Sequence, residues 1–449
     1  MKRILIIFAT LLSLVMANTN NINNEKSEGL DYVIVKKHKI PVIFEENNLI
    51  PQGYVRFVFI GGGSLSDGKL PGLADISADL LNEGTKSMGV AKFYETLDAK
   101  AVSLSVGAGS NTLNFRTSFL KEYEDLALGF LKNLMLDPNY TDNTLQKIRQ
   151  NALNDLLAQE NNFDYLGGKF LTTTLFAGTP LANYPTKDSI NKIRLSDIKS
   201  HLTKTMVLEN LVIVAGGDMQ KKAFFKKLEG IISNFRSGKK APTYKFTASS
   251  KAETKSEFVP TLQAYIYFGA PFNTENIRKD SAKTTVLSYI LGSGFGSRIT
   301  EEIRVKKGLA YSAFMSVSLS PMVSYASGHL QTKLKNQDEA IKLVKEVVAN
   351  FVKNGITKEE LEGAKKFLLG SEPLREERLS QRLGAKFDSF YLGLPLDFSK
   401  TRLKEIEALS LGEINAFIKS HNELNKLTFS IITQRDPVPK DAKNGGKNE

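Results

Sequence analysis

The sequence predicts an α+β fold of two homologous domains, each a mixed sheet with helices packed on it. Strand-like and helix-like segments alternate along the chain, and their order repeats with a unit of about 200 residues, which indicates an internal duplication. A charged stretch with few large aliphatic side chains separates the two copies, as expected of a linker. The chain has 449 residues, 41% hydrophobic and 24% charged, so each copy can bury a core.

In the first copy, apolar residues that alternate with period two predict strands, and apolar residues three and four apart predict helices. The dipeptide Asp137-Pro138 is a typical helix stop. The predicted strands are 32–35, 40–45, 54–60, 102–107, 112–118 and 210–216, and the predicted helices are 70–82, 93–100, 121–136, 142–160, 166–177, 195–202 and 223–233.

The second copy restarts the same order after the charged stretch. We therefore predict an N-terminal domain at 29–236, a linker at 237–257, a C-terminal domain at 258–435 and a disordered charged tail at 436–449. The predicted strands of this copy are 264–269, 310–319, 325–333 and 426–433, and its predicted helices are 280–291, 297–306, 338–354, 357–369 and 411–420.

The N-terminus has the pattern of a secretory signal peptide. Lys2 and Arg3 precede an apolar run at 4–15, and Val15-Met16-Ala17 is typical of a cleavage site. The sequence thus predicts a cleaved signal peptide at 1–17 and a periplasmic or secreted protein, an uncleaved N-terminal anchor being the alternative. No later stretch reaches 18 apolar residues, so we predict no stable membrane insertion.

Charge and cysteine content exclude several classes of function. The formal charge is +12, but the basic residues are scattered among acidic ones, and a nucleic-acid partner would require a clustered basic face. The chain has no cysteine, which excludes thiol catalysis, disulfides and thiolate metal sites. A Gly-x-Ser-x-Gly elbow is absent too, so the sequence does not support serine chemistry.

The helix predicted at 70–82 carries two aspartates four residues apart, in the stretch GLADISADLLNEGT at 72–85. On a helix, Asp75 and Asp79 share one face, one turn apart. A helix that follows a strand and offers two side chains at this spacing has the layout of an HxxEH zinc helix. The layout is present here, but the imidazole and glutamate groups are not.

Three segments carry a resemblance to a known family: GGGSLSDGKLPGLADISADLLNEGT at 61–85, LFAGTPLANYPT at 175–186 and LGSGFGSRITEEIRVKKGLAYS at 291–312. In this order they resemble the HxxEH segment, the Phe-Gly-x-His-Pro-Tyr stretch and the Arg-Glu-x-x-Gly-Leu-Ala-Tyr signature of the M16 (pitrilysin- or insulinase-like) metallopeptidases. The two-domain, processing-peptidase-like bacterial members are the most similar. The resemblance covers about residues 29–435 and implies two domains of the LuxS/MPP-like metallohydrolase type.

The resemblance also implies that the zinc site is degenerate. Asp75 and Asp79 stand at the two His positions, Ala78 stands at the position of the general base, and Asp155 falls on or near the distant Glu ligand. Ala78 cannot accept a proton, and a general base typically contributes about 10²–10⁴-fold to the rate. We therefore predict no metal and no catalytic residue on this chain alone. An alternative is an oxygen-ligand site for Mg²⁺ or Ca²⁺ built from the three aspartates.

The four histidines offer no substitute zinc site, because they are far apart in sequence and form no HxxxH or HxH pair. We predict each of them to be a surface histidine or one satisfied by its neighbours. The Gly292–Gly296 stretch follows a predicted helix rather than a strand, so we do not predict nucleotide binding. The histidines are His38, His201, His329 and His421.

The C-terminal signature is intact, with Arg304 and Tyr311 seven residues apart. The resemblance implies that this pair binds the substrate backbone near the metal, since a Tyr hydroxyl can donate to an oxyanion and an Arg can hold a carbonyl. In the alternative, Arg304 pairs with Glu301 on the helix surface and Tyr311 packs in the core. The resemblance further implies that peptide adds to a sheet edge, for which 102–118 is the candidate.

These expectations lead to one functional hypothesis and one rival. We expect the non-metal-binding, substrate-binding subunit of an exported heteromeric M16-type zinc peptidase, whose HxxEH-bearing partner holds the zinc. Arg304 and Tyr311 would then act on peptide in the partner's active site. The rival is a catalytically inactive peptide-binding or scaffold protein of the cell envelope, present as a homodimer.

Overall fold

The computed structural model describes residues 29–434, so the predicted signal peptide at 1–17 and the predicted tail at 436–449 lie outside the described residues. The strands are β1 (Leu30–Val35), β2 (His38–Glu46), β3 (Gln52–Ile60), β4 (Ser103–Ala108), β5 (Thr112–Leu120), β6 (Leu211–Gly217), β7 (Thr254–Phe258), β8 (Gln263–Pro271), β9 (Ala310–Ser318), β10 (Tyr325–Lys333) and β11 (Thr428–Thr433).

Helices occupy most of the remaining chain, short 3₁₀ turns aside. Two of them, α9 and α10, continue into π-helical turns at Tyr289–Ser293 and Glu301–Lys306. The helices are α1 (Leu73–Leu81), α2 (Gly89–Asp98), α3 (Glu124–Leu136), α4 (Asp142–Gln159), α5 (Phe163–Leu175), α6 (Lys187–Lys192), α7 (Leu195–Thr205), α8 (Lys221–Ile232), α9 (Ile277–Ser288), α10 (Arg298–Thr300), α11 (Gln337–Asn354), α12 (Lys358–Ser371), α13 (Leu379–Tyr391), α14 (Phe398–Ala408) and α15 (Leu411–Ser420).

The described chain forms two compact units that interleave along the sequence. Unit 1 takes in the chain up to Leu156, then Asn183–Tyr244 and Leu368–Glu405, and unit 2 takes in Leu157–Ala182, Lys245–Phe367 and the chain from Ile406 on. Each unit contains one mixed sheet with helices packed on it, which confirms the predicted α+β class.

Unit 1 is built on a six-stranded sheet in the order β1-β2-β6-β3-β5-β4. Only β2 and β6 run parallel, and the other neighbours are antiparallel. One face of the sheet forms the main core with the helices of the first half, and Phe57, Phe59 and Phe115 are fully buried there. Alternation along β3 places Phe57 and Phe59 on the core face, as its period-two pattern predicts, and Phe115 of the neighbouring β5 pairs with Phe57.

The opposite face of this sheet is covered by α13, which comes from the second half of the chain. Leu383 and Phe387 pack there against Ile43 and Val58. Arg382 and Lys386, on the same helix, both form ion pairs with Glu45 of β2. Burial of the apolar side chains stabilises this attachment by about 1.5–3 kcal/mol for each residue, more than the partly exposed ion pairs contribute.

Unit 2 is built on a five-stranded sheet in the order β7-β11-β8-β10-β9, with only β7 parallel to its neighbour. Helix α5, which comes from the first half of the chain, lies on this sheet through Leu171 and Leu175. A Cβ built on Gly167 would stand 2.2 Å from the ring of Tyr267, so only glycine allows this close approach.

The compact units differ from the predicted linear domains at 29–236 and 258–435. Residues 157–182 belong to unit 2 and residues 368–405 to unit 1. The predicted linker also contains structure, since residues 254–257 form most of β7, which pairs with β11. Helices α6, α13 and α14 were not predicted. Within residues 29–434, none of the helices has the length and apolar character needed to cross a membrane.

Candidate degenerate active site

Helix α1 is the element that would carry a zinc motif, and the side chain of Asp67 caps its N-terminus. Gly72 stands at the N-cap with a φ of 98°, a left-handed conformation that favours glycine. The helix therefore begins at Leu73, three residues later than the predicted start at residue 70. Both carboxylate oxygens of Asp67 accept backbone N–H groups, from Gly72 at 2.7 Å and from Ala74 at 2.8 Å. Burial raises the pKa of Asp67 to about 6, although these hydrogen bonds oppose the shift.

Asp75 and Asp79 lie on the exposed face of α1, while Ile76 and Leu80 are buried on the other face. Partial desolvation raises the pKa of Asp75, and it raises the pKa of Asp79 to about 6. The charges of Asp75, Asp155 and Glu83 raise the pKa of Asp79 further, so the structure does bring Asp155 towards this helix. Like charges held together in this way disfavour ionisation.

The residues on this face do not fit a zinc site, because carboxylates replace the imidazole groups that the M16 motif supplies. Glu83, the next acidic residue along the chain, is already held by Lys147, whose Nζ donates to both of its carboxylate oxygens at 2.9 Å. Within residues 29–434, no group of three or more His, Asp or Glu side chains is arranged to hold a metal ion. Asp75, Asp79 and Asp155 thus do not form such a group in the described part of the chain.

Ala78, at the position of the general base, is 2% exposed and belongs to the main core of unit 1. A methyl group at this point packs among apolar side chains and offers no proton acceptor. The position that would hold a water-activating carboxylate therefore lies in the hydrophobic core of unit 1.

The histidines occupy separate environments. His38 hydrogen-bonds Ser237 at 2.7 Å, and His421 bonds Glu423 at 2.8 Å while it stacks on Phe272. His329 stacks on Tyr267, and burial lowers its pKa. His38 and His421 are thus satisfied by hydrogen bonds, as the sequence predicts, whereas His329 makes ring contacts. His201 differs, since it is buried and its Nε2 has no hydrogen-bond partner among the described residues.

Arg304 and Tyr311 lie side by side at the surface of unit 2. The guanidinium carbon of Arg304 is 5.5 Å from the centroid of the Tyr311 ring, and Tyr311 is 88% exposed. Of the residues between 29 and 434, none forms an ion pair with Arg304, so the alternative pair with Glu301 does not form. The alternative placement of Tyr311 in the core is likewise wrong.

A bulge in the edge strand β9 explains the exposure of Tyr311. Ala310 pairs with Thr332 and Ala313 pairs with Leu330, so two residues of β9 oppose one residue of β10. The extra residue breaks the in-out alternation, and both Tyr311 and its neighbour point to solvent. Bulges often redirect a side chain next to a functional site.

The predicted peptide-binding edge at 102–118 is only partly an edge. Strand β4 is the edge strand of its sheet, whereas β5 lies between β4 and β3. The free edge of β4 is also partly occupied, because the side-chain amide of Asn82 bonds Val106 in both directions. Its Nδ2 donates to the Val106 carbonyl at 2.9 Å, and its Oδ1 accepts from the Val106 N–H at 2.8 Å.

Two residues with structural roles at this site, Asp67 and Asn82, are not identifiable from the sequence pattern. An acidic residue ahead of a predicted helix is a signal for a cap, but the six-residue spacing between Asp67 and Leu73 hides it. Asn82 lies 24 residues from Val106, and no local pattern relates the two. The structure leaves the role of Arg304 and Tyr311 as a prediction.

Comparison with known proteins gives a consistent set of likenesses. The model of the insulinase (peptidase M16) family matches residues 42–188, and the model of the peptidase M16 inactive domain matches residues 192–368. A Helicobacter pylori protein called non-peptidase homolog YmxG is 45% identical over 412 residues, which cover 91% of this chain and 95% of that protein.

More distant relatives also match over most of the chain. A Bacillus subtilis protein called uncharacterized zinc protease YmxG is 22% identical over 386 residues, covering 83% of this chain and 91% of that protein. The solved structure of a peptidase M16 inactive domain from Pseudomonas fluorescens matches with a TM-score of 0.82 at 22% identity, over 91% of this chain and 98% of that one. The likeness to this structure shows the fold.

Proposed function

Because the chain belongs to the M16 (insulinase) peptidase family, we propose that it is the non-metal-binding, substrate-binding subunit of an exported heteromeric M16-type zinc peptidase. The missing base at Ala78 and the 45% identity to a non-peptidase homolog are consistent with a non-catalytic member. The HxxEH-bearing partner would supply the zinc and the general base, and this chain would supply Arg304 and Tyr311.

The exposed Arg304–Tyr311 pair carries the proposal. An aromatic side chain that is 88% exposed, beside an arginine without an ion pair among residues 29–434, contributes little to the stability of unit 2. Its exposure depends on the bulge in β9. Such a pair is accessible to a substrate held by another chain.

The chemistry of the pair suits transition-state stabilisation in the partner's site. The Tyr311 hydroxyl can donate a hydrogen bond to the oxyanion that forms when water attacks a peptide carbonyl, and the Arg304 guanidinium can hold a neighbouring carbonyl of the substrate backbone. Removing one donor of this kind from an active site typically costs about 10²–10³ in kcat.

A peptidase assay with four arms tests the proposal: this chain alone, the HxxEH homologue alone, both together, and both together with a variant of this chain. We expect zinc-dependent cleavage of an unstructured peptide only when both chains are present. Arg304→Ala or Tyr311→Phe should lower kcat by about 10²-fold, while the exposed neighbour Lys307→Ala should leave kcat unchanged.

Zinc-dependent activity of this chain alone would contradict the proposal. Full activity of the partner alone, or of a complex that carries both substitutions, would show that Arg304 and Tyr311 have no role in hydrolysis. Because Tyr311→Phe removes only an exposed hydroxyl, a folding defect should not complicate the result.

A second candidate function is a catalytically inactive peptide-binding or scaffold protein of the cell envelope, present as a homodimer. The 45% identical relative supports only its lack of peptidase activity, since that protein is called a non-peptidase homolog. The two proposed functions differ in the subunit composition of the complex. Copurification from the native source, with the mass measured by light scattering, should give a complex with an HxxEH homologue in the first case and a dimer of this chain in the second. Cell fractionation tests the periplasmic or secreted location.

A further inference from the structure

A cavity of about 1030 Å³ lies in unit 1 beside the N-terminus of α1. Its walls come from the loop before α1 at 61–73, from α7, and from the segment at 236–244. The volume is at the upper end of that of pockets that enclose drug-sized ligands. The proposed peptidase function does not use this cavity.

Part of the wall is apolar. Leu65, Leu73 and Val207 are buried residues that line the cavity, and Pro242 and Tyr244 add apolar surface from the 236–244 segment. The Tyr244 hydroxyl donates to the carbonyl of Leu65 at 3.2 Å, which ties this segment to the loop before α1. A ligand with an apolar body would remove from water chiefly the surface of Pro242 and Tyr244, because the three buried side chains have little surface left to cover.

The charged groups of the wall leave an excess of positive charge. Asp67 already accepts the two N–H groups at the start of α1, and the other acidic residue of the wall, Asp197, accepts the N–H of Arg194 at 2.9 Å. Three lysines, Lys204, Lys239 and Lys240, also line the cavity. None of them forms an ion pair with any residue between 29 and 434.

One buried polar atom in the wall has no hydrogen-bond partner among the described residues. His201 is 6% exposed and lines the cavity, and its Nε2 makes no hydrogen bond within the described chain. Burial is the main cause that lowers the pKa of His201, and the charge of Lys204 lowers it further, while a backbone hydrogen bond to Gly62 opposes the shift. A buried polar atom without a partner costs about 1–3 kcal/mol, and a bound ligand with a polar group would remove that cost.

We propose that this cavity binds a small amphiphilic carboxylate, with an apolar body against Leu65, Leu73 and Val207 and its carboxylate facing the three lysines. His201 would hydrogen-bond the polar part of the ligand. A free fatty acid and the C-terminal end of a short apolar peptide share this chemistry. The inference does not depend on the proposed peptidase function.

The absence of tryptophan from the whole sequence allows a direct test. Ser200 is exposed on α7 and lines the cavity, so Ser200→Trp places a single fluorescent reporter in its wall. Decanoate should shift the emission of this protein to the blue in a saturable way. Ser196→Trp, on the same helix but outside the cavity wall, is the matched control and should show no shift.

The head group and the lysines are tested in the same fluorescence assay. Decylammonium should bind at least about tenfold more weakly than decanoate, because the lysines repel a cation. In the Ser200→Trp protein, Lys239→Glu with Lys240→Glu should weaken decanoate binding by about tenfold or more. The control reversal of two exposed lysines on α8, Lys222→Glu with Lys226→Glu, should change it less than about twofold.

Further arms distinguish the two sources of carboxylate. The tripeptide acetyl-Leu-Leu-Phe with a free C-terminus should outcompete its amide if peptide ends bind, and decanoate should outcompete both if fatty acids are preferred. His201→Phe keeps an aromatic ring and removes the nitrogen, and it should weaken binding of the preferred carboxylate. The proposal is overturned if neither carboxylate gives a saturable shift, if decylammonium binds as tightly, or if the reversal at Lys239 and Lys240 has no effect.

Discussion

Asp79 is harder to ionise than an ordinary aspartate, because the protein around it and the charges of Asp75, Asp155 and Glu83 raise its pKa from 3.8 to about 6. Between these two pH values the folded state binds more protons at Asp79 than the unfolded state does. Stability therefore decreases as the pH rises from about 4 to about 6, and ionised Asp79 destabilises the protein at neutral pH.

We predict that Asp79→Asn raises the free energy of unfolding at pH 7.5 and that the gain shrinks as the pH falls towards 4. Because the side chain reaches solvent, screening limits the gain to about 1 kcal/mol or less. Urea denaturation at the two pH values measures it, with the exposed Glu95→Gln as the control. A gain that does not depend on pH would mean that the carboxylate charge is not its cause.

Ala78 gives a second prediction at the residue scale. Because its methyl group is buried in the core, Ala78→Glu would place a charge among apolar side chains and should destabilise unit 1 by about 2–4 kcal/mol. Ala78→Gln adds nearly the same volume without the charge, so it should cost less at pH 7.5, and the two variants should converge at pH 4. Thermal unfolding at both pH values checks this. Equal melting temperatures for both variants at pH 7.5 would mean that the added volume alone, and not the charge, causes the loss of stability.

At the scale of elements, Asn82 connects the end of α1 to the free edge of β4. Its side-chain amide hydrogen-bonds both the N–H and the carbonyl of Val106, the two backbone groups that an added strand would use. An edge protected in this way resists pairing with another chain. We expect β4 to be a poorer acceptor of a peptide strand than its position at the sheet edge suggests.

We predict that Asn82→Ala exposes this edge and destabilises the protein by about 1–2 kcal/mol. The substitution removes the two hydrogen bonds to Val106 and a third, to the Ala78 carbonyl. Hydrogen exchange of the Val106 amide should become faster, while the amide of Phe115 in the interior strand β5 stays protected. Asn234→Ala, which removes a side-chain amide bonded only within its own helix end, is the control. Unchanged exchange at Val106 would show that Asn82 does not protect the edge.

At the scale of the whole molecule, each unit depends on a segment from the other half of the sequence. Unit 1 uses residues 368–405 to cover the face of its sheet that carries Ile43, Val58, Val212 and Val214, and unit 2 uses residues 157–182. Cutting the chain at the predicted domain boundary therefore does not separate two complete cores.

We predict that residues 29–244 expressed alone aggregate or unfold at low denaturant concentration, because Leu383, Phe387 and Leu396 no longer cover the sheet. Coexpression with residues 245–434 should restore a soluble complex, detected by copurification and by a single urea transition. The control complex, with Leu383→Asp and Phe387→Asp in the second fragment, should not form. A stable, monomeric 29–244 fragment would show that unit 1 does not require α13.

The sequence alone determined what depends on residue identity and local spacing. The duplicated order of strands and helices follows from short apolar periods, and the M16 resemblance, now confirmed by 45% identity to a relative, follows from three motifs. The missing imidazole and carboxylate groups at Asp75, Ala78 and Asp79 could likewise be read directly. The roles of Arg304 and Tyr311 stay a prediction, although their spacing identified them.

Only the tertiary structure decided what depends on residues distant in the chain. The exchange of residues 157–182 and 368–405, the bond of Asn82 to Val106 and the burial of Ala78 all require long-range packing that local patterns do not encode. Tyr311 illustrates the reason. Strict alternation along β9 would place its side chain on the same face as the buried Ala313, but one extra residue in the pairing of β9 with β10 turns it to solvent. Register is a property of two strands together, so one strand's sequence does not determine it.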